Sequence, residues 1–267
     1  MGKKNEKDTA GPYKRLKRFN GIMGSVHFVQ GVLMLVLGLT VNNIKDFRLP
    51  VTVSFLTLDE TIGMLVSKTN EVTTILIGPA VSIFLFLSAI AHFITVLPGA
   101  YDAYKANLKR GINYYRWFEY ALSSSLMIVL IAMFFGVYDL GSLILIVGLN
   151  ATMNLLGLMM ELHNVKNEKT SWAPFLMGCF AGAVPWAVIL LHFLGSGEFS
   201  EIPGFVYAIF GSYLVFFNLF PINMVLQYKK KGKWKDYLFG ERGYIILSLT
   251  AKTVLAWIVF AGTSRPV

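Results

Sequence analysis

At 267 residues, 55% hydrophobic and only 15% charged, the chain falls well below the roughly 25% charged content of soluble domains, which excludes a soluble protein and points to the membrane. Its one cysteine, Cys179, excludes an intrachain disulfide and any Cys/His metal spacing. A net charge of +9 would suit nucleic acid in a soluble protein. In a membrane protein, clustered Lys and Arg report topology and anionic-lipid contact, so membrane lipids and no nucleic acid are the expected partners.

Residues 1–18 read as a basic tail without the apolar run of a signal peptide. Glu6 stands where a myristoylation signal wants Ser or Thr. Seven stretches then meet the length of about 20 apolar residues that a span needs: roughly 19–41, 72–97, 109–135, 140–160, 172–194, 202–228 and 240–262. None alternates like a strand, so the expected fold is an all-α membrane protein, a seven-transmembrane-helix bundle over 19–263, followed by a tail at 264–267. The long connection at 42–71 differs. Val51–Leu58 is β-branched and partly alternating, and a second short run follows Asp59-Glu60, the pattern of a β-hairpin.

Lys and Arg are distributed unevenly. Lys3, Lys4, Lys7, Lys14, Arg15, Lys17 and Arg18 precede the first span, and Lys229, Lys230, Lys231, Lys233, Lys235 and Arg242 surround the last loop. The opposite side offers Lys45, Arg48, Lys68 and Arg265. The positive-inside rule therefore places the N-terminus in the cytoplasm, and the C-terminus and hairpin outside the cell, in the plasma membrane.

Two charges remain inside the spans. Lys252 lies about 12 Å beyond Tyr244 along the seventh, and Glu119 about 13 Å beyond Arg110 along the third. A bare ammonium at that depth costs roughly 3 kcal/mol or more, so Lys252 is paired, hydrated or chemically used; the alternative is a lysine snorkelling to the interface. A desolvated lysine amine can condense with an aldehyde. Glu119 is its expected ion-pair partner, the alternative being a protonated carboxyl in an interhelical hydrogen bond. Arg116, Ser123, His27, Gln30, Ser88, His92 and Ser248 fall at compatible depths and suggest a polar cavity on the cytoplasmic side of Lys252; lone histidines in apolar helices are otherwise packing residues. Met127, Asn150, Pro185, Trp186 and Phe217 are candidates for the lining of an apolar ligand pocket. Gly178-Cys-Phe-Ala-Gly182 is a GxxxG pattern that hints at dimerisation. Apart from His192, the outer halves of the spans offer no titratable carboxylate or basic residue, which argues against a pump.

A Schiff-base-competent lysine in the seventh helix and a carboxylate in the third resemble the microbial rhodopsins. Arg116-Trp-Phe-Glu-Tyr-Ala-Leu-Ser-Ser-Ser125, Pro203-Gly-Phe-Val-Tyr207, Lys231-Gly-Lys-Trp234 and Gly240-Glu-Arg-Gly-Tyr-Ile-Ile-Leu-Ser-Leu-Thr-Ala-Lys252 are similar to segments of the heliorhodopsins in particular. The resemblance covers nearly the whole chain, least in the tail and the 42–71 loop. It implies all-trans retinal bound covalently to Lys252, Glu119 as counterion and Ser248 near the Schiff base. It also implies a polar cavity around His27, Gln30, Ser88 and His92, inverted topology, a homodimer, and light sensing without ion transport. Leu130 stands where pumps keep a donor carboxylate. The expected function is thus a non-enzymatic retinal photoreceptor that signals to a cytoplasmic partner, with a light-driven transporter or channel as the rival and a chromophore-free protein as a second.

Overall fold

A computed structural model describes residues 4–195 and 202–263, with side chains from Gly11 onward. Its elements are α1 (Lys4–Thr40), the short α2 (Asn42–Lys45), a hairpin of β1 (Arg48–Asp59) and β2 (Met64–Leu76), then α3 (Ile77–Ile94), α4 (Ala100–Lys109), α5 (Tyr114–Phe134), α6 (Leu140–Asn164), α7 (Ala173–Gly195), α8 (Gly204–Tyr228) and α9 (Tyr237–Thr263). Among the described residues, seven helices are long and apolar enough to cross a membrane: α1 from Gly11, α3, and α5 to α9. The chain is a seven-helix membrane bundle with a two-stranded hairpin.

Boundaries differ from the sequence expectation in three places, each for a physical reason. The basic segment before the first span is helical from Lys4, and its buried Leu16 packs with Tyr104, Leu108, Leu238 and Ile245, docking α1 on α4 and α9. Helix α4 occupies what the sequence suggested was a plain connection. The second span begins at Ile77 rather than 72, because Thr73 to Leu76 pair with Val51 to Arg48 at the foot of the hairpin. The segments 1–3 and 264–267, with Lys3 and Arg265, lie outside the described residues.

The hairpin is anchored only at its foot. Leu49 and Val51 are buried in the main core, and Thr52 N donates to Tyr138 O at 2.8 Å, tying β1 to the α5–α6 connection. Beyond the register shift at Val51/Thr52, Phe55, Leu56, Leu58, Ile62 and Met64 are exposed. The α5–α6 turn is built for tightness: Gly136 adopts φ +85°, a conformation that glycine reaches without steric cost, and Asp139 caps α6 by accepting from Ser142 N at 2.8 Å.

Helix α5 is the most buried of the seven and α8 the least. Between Lys252 and the hairpin face the interior is an apolar core, with Met34, Phe84, Ile128, Ile131, Leu255 and Val259 among its members. Pro185 and Pro221 lie within α7 and α8, where each ring removes the backbone donor that would bond to Ala181 or Phe217 one turn back. Helices α1 and α3 approach closest where Gly38 faces Gly78, backbone against backbone. Gly78→Val would push its side chain into Gly38, so a loss of about 1–3 kcal/mol in stability is expected. It would be read as a lower melting temperature by tryptophan fluorescence of the purified protein; an unchanged melt would contradict the close packing.

Candidate functional site

The seventh span carries Ser248 and Lys252 four residues apart, hence on one face of α9. Lys252 is 3% exposed at its side chain, so its ammonium has no water to lean on. Nζ instead donates to Glu119 Oε1 at 2.7 Å and to Ser248 Oγ at 2.9 Å. Glu119 comes from α5, and the same oxygen accepts from Ser88 Oγ of α3 at 2.6 Å. Ser123 is fully buried beside this carboxylate, its hydroxyl without a closed hydrogen bond among the described residues. The ring of Tyr120 lies 5.3 Å from Nζ. Three helices thus converge on one charge pair.

A turn toward the N-terminal face, a small cavity of about 30 Å³ is bordered by Glu119, Ser248, His92, Asn20 and Arg116. His92 Nδ1 is 2.7 Å from Asn20 Oδ1. Asn20 is oriented by donating its amide to Leu16 O at 3.0 Å, so its oxygen accepts and His92 Nδ1 carries the hydrogen. Nε2 of a neutral His92 is then the proton-accepting nitrogen. His27 stacks on this ring at 5.6 Å between centroids, is wholly buried, and has no hydrogen-bond partner for either nitrogen among the described residues. Tyr104 of α4 borders the same cavity; burial, with Glu241 nearby, holds its phenol well above its ordinary pKa, so it stays a neutral hydroxyl.

Deeper toward the N-terminal face is a second buried charge cluster. Arg116 pairs with both Glu161 of α6 and Glu241 of α9. Its guanidinium lies 4.1 Å from the Tyr244 ring and 4.7 Å from that of Trp117. Glu161 also accepts from Trp117 Nε1 and Asn113 N, both at 2.8 Å, and from Tyr237 OH at 3.1 Å. Taking Lys252 and Glu119 as the two charges inside the spans left Glu161 and Glu241 on the cytoplasmic side. The structure corrects this: they are 2% and 1% exposed, and among the described residues Arg116 joins Lys252 as a buried cation. The aromatic neighbours Trp117 and Tyr244 were the signal available for finding them.

Beside Lys252 lies a cavity of about 380 Å³ between α5, α6, α7, α8 and α9. Met127, Trp186, Tyr213 and Phe217 form apolar walls, and Lys252 and Ser248 border it. Of the expected lining residues, Met127, Trp186 and Phe217 are present, whereas Pro185 is buried within α7 and does not line it. Asn150 is also displaced from the wall: it donates to Ser124 Oγ at 2.7 Å and Ser125 Oγ at 3.0 Å, leaving Ser124 to border the cavity. Gln30 stands apart from the small polar cavity and accepts from Thr253 Oγ1 at 2.9 Å. Gly178 and Gly182 face Leu156 and Met153 of α6, so the GxxxG pattern serves packing within the chain.

The volume is in the range of small-molecule sites, and apolar walls with a few convergent polar groups are what such sites have. Gly182 borders it, where an added Cβ would run into Met153. A long apolar aldehyde with its reactive end at Nζ fits these residues, and all-trans retinal is such a molecule.

Seven membrane helices, a buried lysine on the last, a carboxylate partner from the third and an apolar cavity reaching the amine define a rhodopsin. The chain belongs to the heliorhodopsin family, whose sequence profile matches residues 16–264. No curated protein matches it. It is a retinal-binding microbial rhodopsin and a multi-pass membrane protein.

Breaking a buried pair leaves an uncompensated charge and costs about 3–5 kcal/mol. Arg116→Gln, which strands Glu161 and Glu241, is expected to destabilise by that amount in denaturant or thermal unfolding. Adding Glu161→Gln and Glu241→Gln to it should recover part of the loss. If Arg116→Gln alone melts like the wild type, the cluster is not a structural pair.

Proposed function

We propose that the protein is a light sensor that moves a proton within the bundle and carries no ion across the membrane. The observation that supports this is one-sidedness. Glu119, Ser88, Ser248, His92, Tyr104 and the Arg116 cluster all lie level with Lys252 or toward the N-terminal face. The hairpin side is a closed apolar core, and His192, at the end of α7, is exposed and held by its own helix through Val188 O. A transporter needs groups able to hold the proton on both sides of its switch.

When bound, retinal supplies light-driven isomerisation through a covalent link to Lys252. Glu119 holds the negative charge against Nζ and, with Ser248 and Ser88, fixes the direction of the Nζ hydrogen. Tyr120 and the apolar walls keep bulk water from it. A proton leaving Nζ meets Glu119 first, and His92 Nε2, on the same small cavity, is the next acceptor. Arg116 couples that cavity to α6 and α9 through Glu161 and Glu241, which gives a route by which a shift in α9 changes the N-terminal face.

We take that face as cytoplasmic, supported by its Lys and Arg excess. The basic run Lys229 to Lys235 is the proposed contact for a signalling partner. A homodimer, implied by the family resemblance, belongs to the same reading, and the exposed α6 ridge of Ile144, Leu145 and Val147 supports a seam there.

Protein expressed with all-trans retinal should show a visible absorption band that Lys252→Ala abolishes; a band surviving in that variant would remove Lys252 from its role. Glu119→Gln should move the band and lower the pH at which it is lost, and an unchanged titration would exclude Glu119 as counterion. Illuminated cells should show neither a light-driven pH change nor a current; a photocurrent lost in Lys252→Ala would replace the sensor with a transporter or channel.

A further inference from the structure

One face of α1 carries a shallow, open groove of about 810 Å³, bordered beyond the helix by Val96 just after the second span. Lys14, Lys17 and Arg18 stand at one end, and three and four residues of spacing put them on one face of the helix. Lys14 and Arg18 are exposed. None of the three is in an ion pair among the described residues. Lys17 is held 4.2 Å from the ring of Tyr101, which ties it to the start of α4 and sets its ammonium beside the groove.

Past this basic end the groove changes character. Gly21 forms its floor, and a Cβ there would meet nothing within 4 Å. Ser25 donates its hydroxyl to Gly21 O at 3.0 Å, so its polar atom is satisfied within the helix, and Gln30, whose Oε1 accepts from Thr253 Oγ1 at 2.9 Å, is the one polar side chain at the far end. Ile22, Val26 and Val29 continue the surface as apolar walls. From Arg18 to Val29 the helix rises about 17 Å, close to half of a hydrocarbon core of about 30 Å. A cationic mouth at the membrane face followed by an apolar trough one leaflet deep matches a phospholipid in both charge and length.

We infer that this groove is a binding site for one anionic phospholipid, its phosphate held by Lys14, Lys17 and Arg18 and one acyl chain laid over Gly21 along Ile22, Val26 and Val29. Three cations complement a headgroup of net negative charge, whereas the choline of a zwitterionic lipid would be repelled. The inference rests on the chain being a membrane protein and is independent of the retinal site.

The full-length protein, purified in detergent, would be mixed with phosphatidylglycerol or with phosphatidylcholine of the same acyl chains, and retained lipid counted by native mass spectrometry. The wild type should keep one phosphatidylglycerol per protomer in preference to phosphatidylcholine. Lys14→Gln/Lys17→Gln/Arg18→Gln should lower that preference about tenfold or more, and Lys229→Gln/Lys230→Gln/Lys231→Gln should leave it intact. Gly21→Leu keeps every charge and its Cβ meets nothing of its own chain within 4 Å, so its melting temperature should stay while the lipid is lost. Equal retention of the two lipids by the wild type, or full retention by the first triple variant, would overturn the site. Retention by Gly21→Leu alone would reduce it to unspecific headgroup attraction, and displacement by inorganic phosphate at the lipid's concentration would show a phosphate site rather than a lipid one.

Discussion

A lysine with no water around it must find its solvation inside the protein, and the bundle is arranged about that requirement. Burying an ammonium costs several kcal/mol unless a charge and further hydrogen bonds replace the water. Lys252 obtains the charge from Glu119 on α5 and the hydrogen bond from Ser248 on its own helix, while Ser88 on α3 completes the carboxylate. Each partner fixes a helix in rotation as well as in depth. Arg116, three residues from Glu119 on α5, meets the same requirement with carboxylates from α6 and α9. The most buried helix is therefore the one that supplies both clusters.

The two clusters divide the interior into unlike halves. Toward the N-terminal face, side-chain polar atoms pass from helix to helix: Glu119 to Ser88, His92 to Asn20, Arg116 to Glu161 and Glu241. Toward the hairpin, aliphatic and aromatic side chains meet without a charged group. Apolar walls rich in aromatic rings leave room for a long conjugated molecule whose one polar end must reach Nζ. Hydrogen-bonding partners for the Lys252–Glu119 pair thus lie toward the N-terminal face, on Ser88 and Ser248.

Much of this was legible from residues whose chemistry conflicts with their surroundings. Lys252 and Glu119 stood out because each is a lone charge far from the ends of an apolar run, and helical rise alone put them at one depth. Ser88, His92 and Ser248 followed from spacing. Arg116 was noticed, but Glu161 and Glu241 were counted with the charges of the cytoplasmic side, because a carboxylate near a span end looks the same whether it faces water or an arginine. Asn20 stood within the expected first span but carried no signal of its own, and Tyr104 depends on α4 docking beside α1, which apolar periodicity does not reveal. The hairpin was expected from Val51 to Leu58, yet its second strand was partly absorbed into the next span, since Val72-Thr-Thr-Ile75 is apolar enough for either. Asn150 and Pro185 are buried within the bundle without bordering the cavity, which a depth count cannot distinguish.

The prolines of α7 and α8 have a mechanical consequence. A helix lacking one rung of its hydrogen-bond ladder bends there at lower cost than elsewhere. Both such rungs fall in the two helices that wall the retinal cavity on one side, and their neighbouring surfaces meet largely through rings: Trp186 with Phe210, Tyr213 and Phe217, and Phe193 with Tyr207. Helices α5 and α9, by contrast, are cross-tied by charge and contain no proline among their described residues. The bundle is thus unequal in stiffness: the α7–α8 side of the cavity bends at lower cost than the charge-tied frame of α5 and α9 at Lys252.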